Sequence, residues 1–285
     1  VDPGTARISR YSYRSKVQRL PIESIAQSSA NQRAGRCGRL GAGVCIRLYS
    51  ESDFLSRPEF TQPEIQRTNL AAVILQMRQL GLGNPDEYPF IDPPDSRFIN
   101  DGFRLLQELG AIDDKRKLTY VGKQLSRLPV DPRLGRMVIA ASDKNCLDEV
   151  LVIVSVLSVQ DPRERPVEKQ QKADEAHKQF HDEDSDFIAL LNLWKTYSDR
   201  RKHLTQNKLR QYCKQNFLSF MRLREWAETY QQLRNLIKGM GLKVNTDPAG
   251  YDEIHQALLT GLLGNICVKN EPDKKPGGTK PKYMT

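Results

Sequence analysis

The chain has little of what builds several common classes of protein. Its five cysteines, at positions 37, 45, 146, 213 and 267, include no Cys-x-x-Cys pair. That argues against a zinc cluster or a disulfide framework, and a reducing, cytosolic setting fits best. The most apolar run, residues 150–159, falls well short of the roughly 20 residues a bilayer span needs, so it reads as a buried helix. Val1-Asp2-Pro3-Gly4 offers neither the basic region nor the apolar core of a secretory signal, and no Met precedes it. No Gly-x-x-x-x-Gly-Lys-Ser/Thr phosphate loop and no Asp-Glu-Ala-His string occur, which excludes a self-contained nucleotidase of the phosphate-loop type. Acid is in short supply as well: 35 acidic residues stand against 44 basic ones in 285, a net charge of +9. Such an excess favours an anionic partner, nucleic acid or nucleotide, and says nothing of fold. A first residue in mid-pattern and the last stretch "EPDKKPGGTKPKYMT" are those expected of a piece cut from a longer protein.

Length predicts two domains, or three small ones. The first fifty residues carry an α/β pattern. "ARISRYSYRSKVQRLPIES" has the β-branched and tyrosine content of strands around Ser15-Lys16, as a hairpin would. Ser28 or Ser29 is placed to cap a short helix, with Gln32 in capping-box spacing from Ser29 and the glycines from Gly38 to Gly43 ending it. "VCIRLYS" alternates as a half-buried strand does. From Thr68 the pattern turns helical. Thr68 or Asn69 is the expected cap of the first helix, and Gly81 or Gly83 its stop. In a second helix from Ser96, Ile99, Phe103, Leu106 and Leu109 or Gly110 trace one face. A turn, a short strand and another helix follow in "DDKRKLTYVGKQLSRLP", and three helices with a basic wing predict a winged helix. Pro129-Val130-Asp131-Pro132 breaks the pattern, after which long helices run to about Leu263, interrupted by a charged, solvated stretch at 161–186. No internal repeat is evident.

Residues 28–39, "SSANQRAGRCGR", crowd four arginines, a glutamine and two glycines into twelve positions. On a continuous helix, Gln32, Arg36 and Arg39 fall within a stripe of roughly 60°, whereas Arg33 points elsewhere. With Gly35 and Gly38 allowing close backbone approach, this surface suits a polyphosphate; the alternative is a solvated basic helix.

The string "QRAGRCGR" resembles motif VI of superfamily 2 helicases in the form typical of DEAH-box RNA helicases. "VDPG", "GVCIRLYS", "FTQPEIQRTNLAAVILQMRQLGLG", "LTYVGKQLSRLPVDPRLGRMVIAA" and "QYCKQNFLSFMRLREWAETYQQL" agree with it, and the phrasing is most similar to the bacterial HrpA-type members. The resemblance covers nearly the whole chain. It implies α/β plus mainly α architecture: residues 1–66 as the closing part of the second RecA-like domain, 67–134 as the winged helix and 135–268 as a helical ratchet. Residues 269–285 would lead toward an OB-like domain that is not here. It further implies Gln32 at the γ-phosphate and Arg36 and Arg39 as arginine fingers on charge developing during hydrolysis. A finger is worth about 10³ to 10⁵ in rate in related nucleotidases. ATP and Mg²⁺ would be bound by the intact cytoplasmic enzyme and not by this chain alone, which lacks the family's upstream phosphate loop and carboxylates.

Candidate RNA contacts gather in two places. Residues 6–20 carry five cations interleaved with tyrosines, and Arg10, Tyr11, Tyr13, Arg14 and Lys16 are expected to grip a single strand through phosphates and base stacking. The bland alternative is an edge hairpin whose charges resist aggregation. In "QYCKQNFLSFMRLREW", Asn216, Arg222 and Arg224 are the expected ratchet contacts, and the aromatic stripe Phe217, Phe220 and Trp226 is core. Residues 100–110 lack the cations and amides of a groove-reading helix and read as a packing module. His177 and His181 have a chelating spacing without a third ligand, so no metal is expected. The leading expectation is therefore a segment of an ATP-dependent RNA helicase that translocates on single-stranded RNA. The alternative is a non-enzymatic nucleic-acid-binding or adaptor module.

Overall fold

Four short strands near the start of the chain form one long hairpin. β1 (Thr5–Arg7), β2 (Arg10–Ser12), β3 (Val17–Arg19) and β4 (Ile22–Ser24) pair antiparallel, outer with outer and inner with inner. Both pairs keep one register, from Thr5↔Ser24 to Ser12↔Val17. The ladder breaks between them because Pro21 has no N–H to give; its carbonyl still accepts from the Ile8 N–H at 3.0 Å. The computed structural model describes residues 1–13, 16–270 and 282–284, so Arg14 lies outside the described residues, as does most of the expected linker. The chain divides into two units, Val1–Gly122 and Lys123–Thr285.

In the first unit, α1 (Gln27–Arg36) begins one residue before the serine expected to cap it. Ala26 occupies the cap position with no side-chain bond. The first helical amides are satisfied from outside instead: Gln27 and Ser28 N–H donate to the carbonyls of Pro58 and Glu59 at 3.0 and 2.9 Å. Ser29 is left to pair with the Thr61 hydroxyl. The segment expected to be a strand at 44–50 is not one. Only a parallel bridge joins Arg47 to Asp2, and Val44, Ile46 and Leu48 stay exposed. Alternation specifies a face to be buried, and among the described residues no further strand pairs there. α2 (Glu51–Ser56) follows, capped by Ser50.

α3 (Ala71–Leu80) and α4 (Ser96–Glu108) then pack together. Asn69 Oδ1 caps the Ala71 N–H at 2.8 Å, and Gly81 stops α3 in the left-handed region at φ +69°. Asp95 caps α4 through the Arg97 N–H. Ile99, Phe103 and Leu106 face inward as their spacing predicts. The helices meet at Gly102, where a Cβ would come within 2.7 Å of the Ile74 side chain. An antiparallel bridge, Ile112↔Leu118, closes the wing before α5 (Tyr120–Leu125). Asp113 Oδ1 accepts the Lys115 and Lys117 N–H groups in its turn.

The second unit is helical: α6 (Pro132–Asp143), α7 (Leu147–Leu157), α8 (Gln170–His177), α9 (Asp186–His203), α10 (Gln206–Gln215), α11 (Phe220–Gly239) and α12 (Tyr251–Leu259). A last pair, β5 (Val268–Asn270) with β6 (Lys282–Met284), runs antiparallel. The apolar run is indeed a buried helix, α7, and it serves two cores. Val150, Leu151 and Val154 meet Met137, Leu233, Ile237 and Leu258, whereas Val152 and Val156 meet Leu193, Leu223 and Trp226. A helix apolar on all sides must be covered on all sides, which is why α6, α9, α11 and α12 surround it. The charged stretch after it buries only Ala173 in α8 and Phe180 beyond.

Trp226 is the largest wholly buried side chain, and its Nε1–H donates to the Val152 carbonyl at 3.0 Å and to Ser155 Oγ at 2.9 Å. Trp226→Phe leaves both acceptors short of a donor and should destabilise the helical unit by about 1–3 kcal/mol. Urea unfolding followed by far-UV circular dichroism checks this; an unmoved midpoint would deny the bond any structural weight.

Candidate nucleotide and nucleic-acid interface

The arginine cluster is divided by the fold into one fixed residue and several displayed ones. Arg33 turns inward. Its guanidinium donates to Asp2 Oδ1 at 2.8 Å and to the Thr5 carbonyl at 3.2 Å. Asp2, only 3% exposed, also accepts the Gly4 N–H at 3.0 Å and the Tyr49 hydroxyl at 3.2 Å. Arg57 is 8% exposed, lies 4.0 Å over the Tyr49 ring, and donates to the Gly4 carbonyl at 2.8 Å and to Asp53 at 2.6 Å. Burial pushes the Asp2 carboxyl up, but hydrogen bonds from Gly4, Arg33 and Tyr49 and the Arg33 charge together hold it below the usual range.

Gln32 and Arg36 share the outward side of α1, both exposed and without an ion pair among the described residues. Arg39 does not share their stripe. The helix ends at Arg36, where the Cys37 and Gly38 amides turn back onto Ala34 and Gly35, so Arg39 lies in the exposed loop beyond. At Gly35 and Gly38 the space where a Cβ would stand is open to at least 3.9 Å. Gln32 and Arg36 instead border an open cleft of about 550 Å³ toward the hairpin base, with Arg7, Arg33, Arg67, Ser29 and Thr61. No carboxylate lines it. Four guanidiniums without an acid form a site for phosphate oxygens. Arg67 and the anchoring Asp2, Tyr49 and Arg57 were not singled out by sequence. The one sequence signal was "VDPG", an Asp two positions before a glycine it hydrogen-bonds.

The hairpin is less free than its composition implies. Tyr11 donates its hydroxyl to Asp101 Oδ2 of α4 at 2.7 Å, and its backbone N–H to the Arg67 carbonyl at 2.9 Å. Phe98 packs against both tyrosine rings, with centroids at 6.3 Å from Tyr11 and 5.8 Å from Tyr13. Arg97 donates to the Tyr13 hydroxyl at 3.2 Å. These rings are occupied by α4, which corrects the expectation that they stack on bases. Arg10 pairs with Glu23 at 2.8 Å and bonds Gln62, and Lys16, at φ +52° near the tip, stands 3.7 Å from Glu108. Arg7 and Arg19 are exposed and carry no ion pair among the described residues.

The ratchet residues expected to meet RNA are likewise engaged locally. Asn216 ends α10, donating to the Tyr212 carbonyl at 2.9 Å and accepting from Gln179 at 2.8 Å. Arg222 bonds the Asp161 carbonyl at 3.0 Å, and Arg224 pairs with Glu228 at 2.7 Å. Asn216 therefore serves as a structural cap, a role available to any short amide at a helix end. Trp226 is core; Phe217 and Phe220 are half-buried. His177 Nε2 sits 3.1 Å from the Phe217 carbonyl, and no group of three metal-binding side chains occurs among the described residues.

Residues 103–130 match the winged-helix model of the helicase associated domain (HA2), and residues 131–190 match its ratchet-like model. The chain is 58% identical over 285 residues to the ATP-dependent RNA helicase HrpA of Escherichia coli (strain K12), covering 98% of this chain and 22% of that protein. It is 56% identical over 276 residues to the HrpA homolog of Haemophilus influenzae, covering 94% and 21%. The chain belongs to the bacterial HrpA-like DEAH-box helicases. It spans about a fifth of the length of the curated relatives it matches. In this HrpA-like chain, α3, α4 and the 112–118 wing form the winged helix, and the ratchet match runs through α6 and α7 into α9.

The division of labour on α1 has a measurable signature. Arg33→Ala strands a buried carboxylate and should cost on the order of 2 kcal/mol, between an exposed and a fully buried pair. Arg36→Ala should stay within about 0.5 kcal/mol. Thermal unfolding of the two variants checks the contrast; equal losses would contradict it. A second test uses pH. Because the folded value of Asp2 is depressed, its contribution is complete above the unfolded value near about 3.9 and is lost as pH falls through the folded value. Asp2→Asn should remove that acid-sensitive component.

Proposed function

We propose that this chain supplies one wall of the nucleotide site and part of the RNA path of an ATP-dependent RNA helicase. Residues 1–66 would complete the second RecA-like domain, whose further strands would cover Val44, Ile46 and Leu48. The winged helix would occupy 67–134 and the ratchet 135–268, with 269–285 leading toward an OB-like domain. The observation that carries the reading is the display of Gln32 and Arg36 beside an acid-free cleft while Arg33 is tied to Asp2. In this account Gln32 orients groups at the γ-phosphate, and Arg36, with Arg39 from the following loop, stabilises charge that develops as the phosphoryl group leaves. A guanidinium fixed near that position acts on the transition state and contributes little to ground-state binding. No carboxylate borders the cleft, so the ligands of a magnesium ion would come from the missing RecA-like domain, and this chain alone is inactive.

The RNA would meet the hairpin through its cations and not through its rings, since Arg7 and Arg19 are the residues left without ion pairs. Translocation on a single strand and duplex unwinding would follow from opening and closing of the two RecA-like domains. A cytoplasmic location is part of the proposal and agrees with five free thiols; burial pushes Cys146 and Cys213 up to about 11, which keeps both protonated and inert.

In the intact protein, Arg36→Ala should lower RNA-stimulated ATP turnover by about 10² or more with RNA affinity nearly unchanged. Steady-state hydrolysis and RNA titration on the same preparation check it. Normal turnover with a large loss of RNA binding would contradict the assignment.

A further inference from the structure

The chain's positive charge is not spread evenly. Residues 200–224 hold eight lysines and arginines and no aspartate or glutamate. They carry +8 of the net +9, and the rest of the chain balances to within one charge. This stretch is the last turn of α9, the whole of α10 and the first residues of α11.

Local helix stability accounts for only part of it. Arg200, Arg201 and Lys202 sit in the last turn of α9, where the helix dipole favours cations. Lys208 sits in the first turn of α10, where the dipole disfavours a cation and where no acid compensates. A placement that breaks a local rule without a structural gain points to function. The packing of α10 is otherwise simple. Leu209 and Cys213 are buried against Leu193, Leu223 and Trp226. The exposed positions of α10 are all amides or cations, Lys208 and Lys214 among them, and none is a large apolar residue. Two guanidiniums are already laid on rings, Arg200 over Tyr212 at 5.3 Å and Arg210 over Phe220 at 5.1 Å, which limits the rotamer freedom they would lose on binding.

We propose that the outer face of α10, with the last turn of α9, binds the phosphate backbone of RNA. The inference rests on the helicase reading for the identity of the nucleic acid. Cations meet phosphates, and the side-chain amides between them supply donors and acceptors for sugar hydroxyls and base edges. An acidic protein is the poorer fit, because protein interfaces are anchored by apolar or aromatic side chains and this face exposes none on α10.

The test uses the 285-residue chain and a labelled 20-nucleotide single-stranded RNA, titrated over a range of salt. Arg201, Lys208 and Lys214 are replaced together by Gln. Three lost contacts should make the slope of log affinity against log salt shallower by about 2, with affinity at moderate salt weaker by about tenfold or more. The melting midpoint should not move, since none of the three has an ion-pair partner among the described residues. A second variant, Arg7→Gln with Arg19→Gln, reports on the hairpin. An unchanged slope in the α10 variant, with binding lost in the hairpin variant, would overturn this inference and leave the helicase reading standing. Failure of the unsubstituted chain to bind RNA at low salt would also overturn it, while the turnover test of Arg36 stays decisive for the nucleotide site. Poly-glutamate should not displace the RNA; equal displacement would show a general polyanion surface and overturn the proposal.

Discussion

Everything the α1 surface displays depends on the buried bond between Arg33 and Asp2. Asp2 is a carboxylate almost without solvent, and such a group is tolerated only when its charge and its lone pairs are met. Gly4, Tyr49 and Arg33 meet them. The bond therefore fixes the roll of α1 about its axis, and with the roll fixed, Gln32 and Arg36 have one direction left to face. Arg57 repeats the device from the loop after α2, reaching Gly4, Asp53 and the Tyr49 ring. Its neighbours Pro58 and Glu59 supply the carbonyls that start the helix. One small polar core thus sets the position, the roll and the first turn of α1.

The hairpin shows the same economy in a different form. Its cations and tyrosines look alike as ingredients for holding a nucleic acid, yet the fold separates them. The tyrosines face α4 and join the hairpin to the winged helix through Asp101, Phe98 and Arg97. α4 is thereby occupied: Asp101, an acid buried within the helix, receives Tyr11 and the Asn69 amide. A helix whose inner face carries an acid to hold a neighbouring hairpin is a packing element, in agreement with its poverty in cations.

What could be read from the sequence was what local chemistry decides. Gly81 stops α3, Asp95 and Asp131 cap α4 and α6, and the run at 150–159 is buried because no face of it tolerates water. The motif string placed Gln32 and Arg36 together on one helix. The misses all have partners distant in sequence. The start of α1 is set by carbonyls some thirty residues on, so no serine was needed. Tyr11 is claimed by an acid ninety positions away, which no spacing rule reveals. Arg39 left the stripe because a helix stops where its amides find nearer carbonyls, and the glycine-rich loop lets them. The alternation at 44–50 was a true signal of a strand face whose partners are not among the described residues.

The central claim is that α1 holds one arginine for structure and offers another to the transferring phosphoryl group. Binding of a transition-state mimic tests it most directly. The intact protein should bind ADP with aluminium fluoride more tightly than ADP alone. Arg36→Ala should erase that preference by about 10² or more while leaving ADP affinity within about twofold, because the guanidinium meets charge that only the mimic carries. If Arg36→Ala keeps the full preference for the fluoroaluminate complex, the displayed arginine is not aimed at the phosphoryl group, and the account of α1 fails.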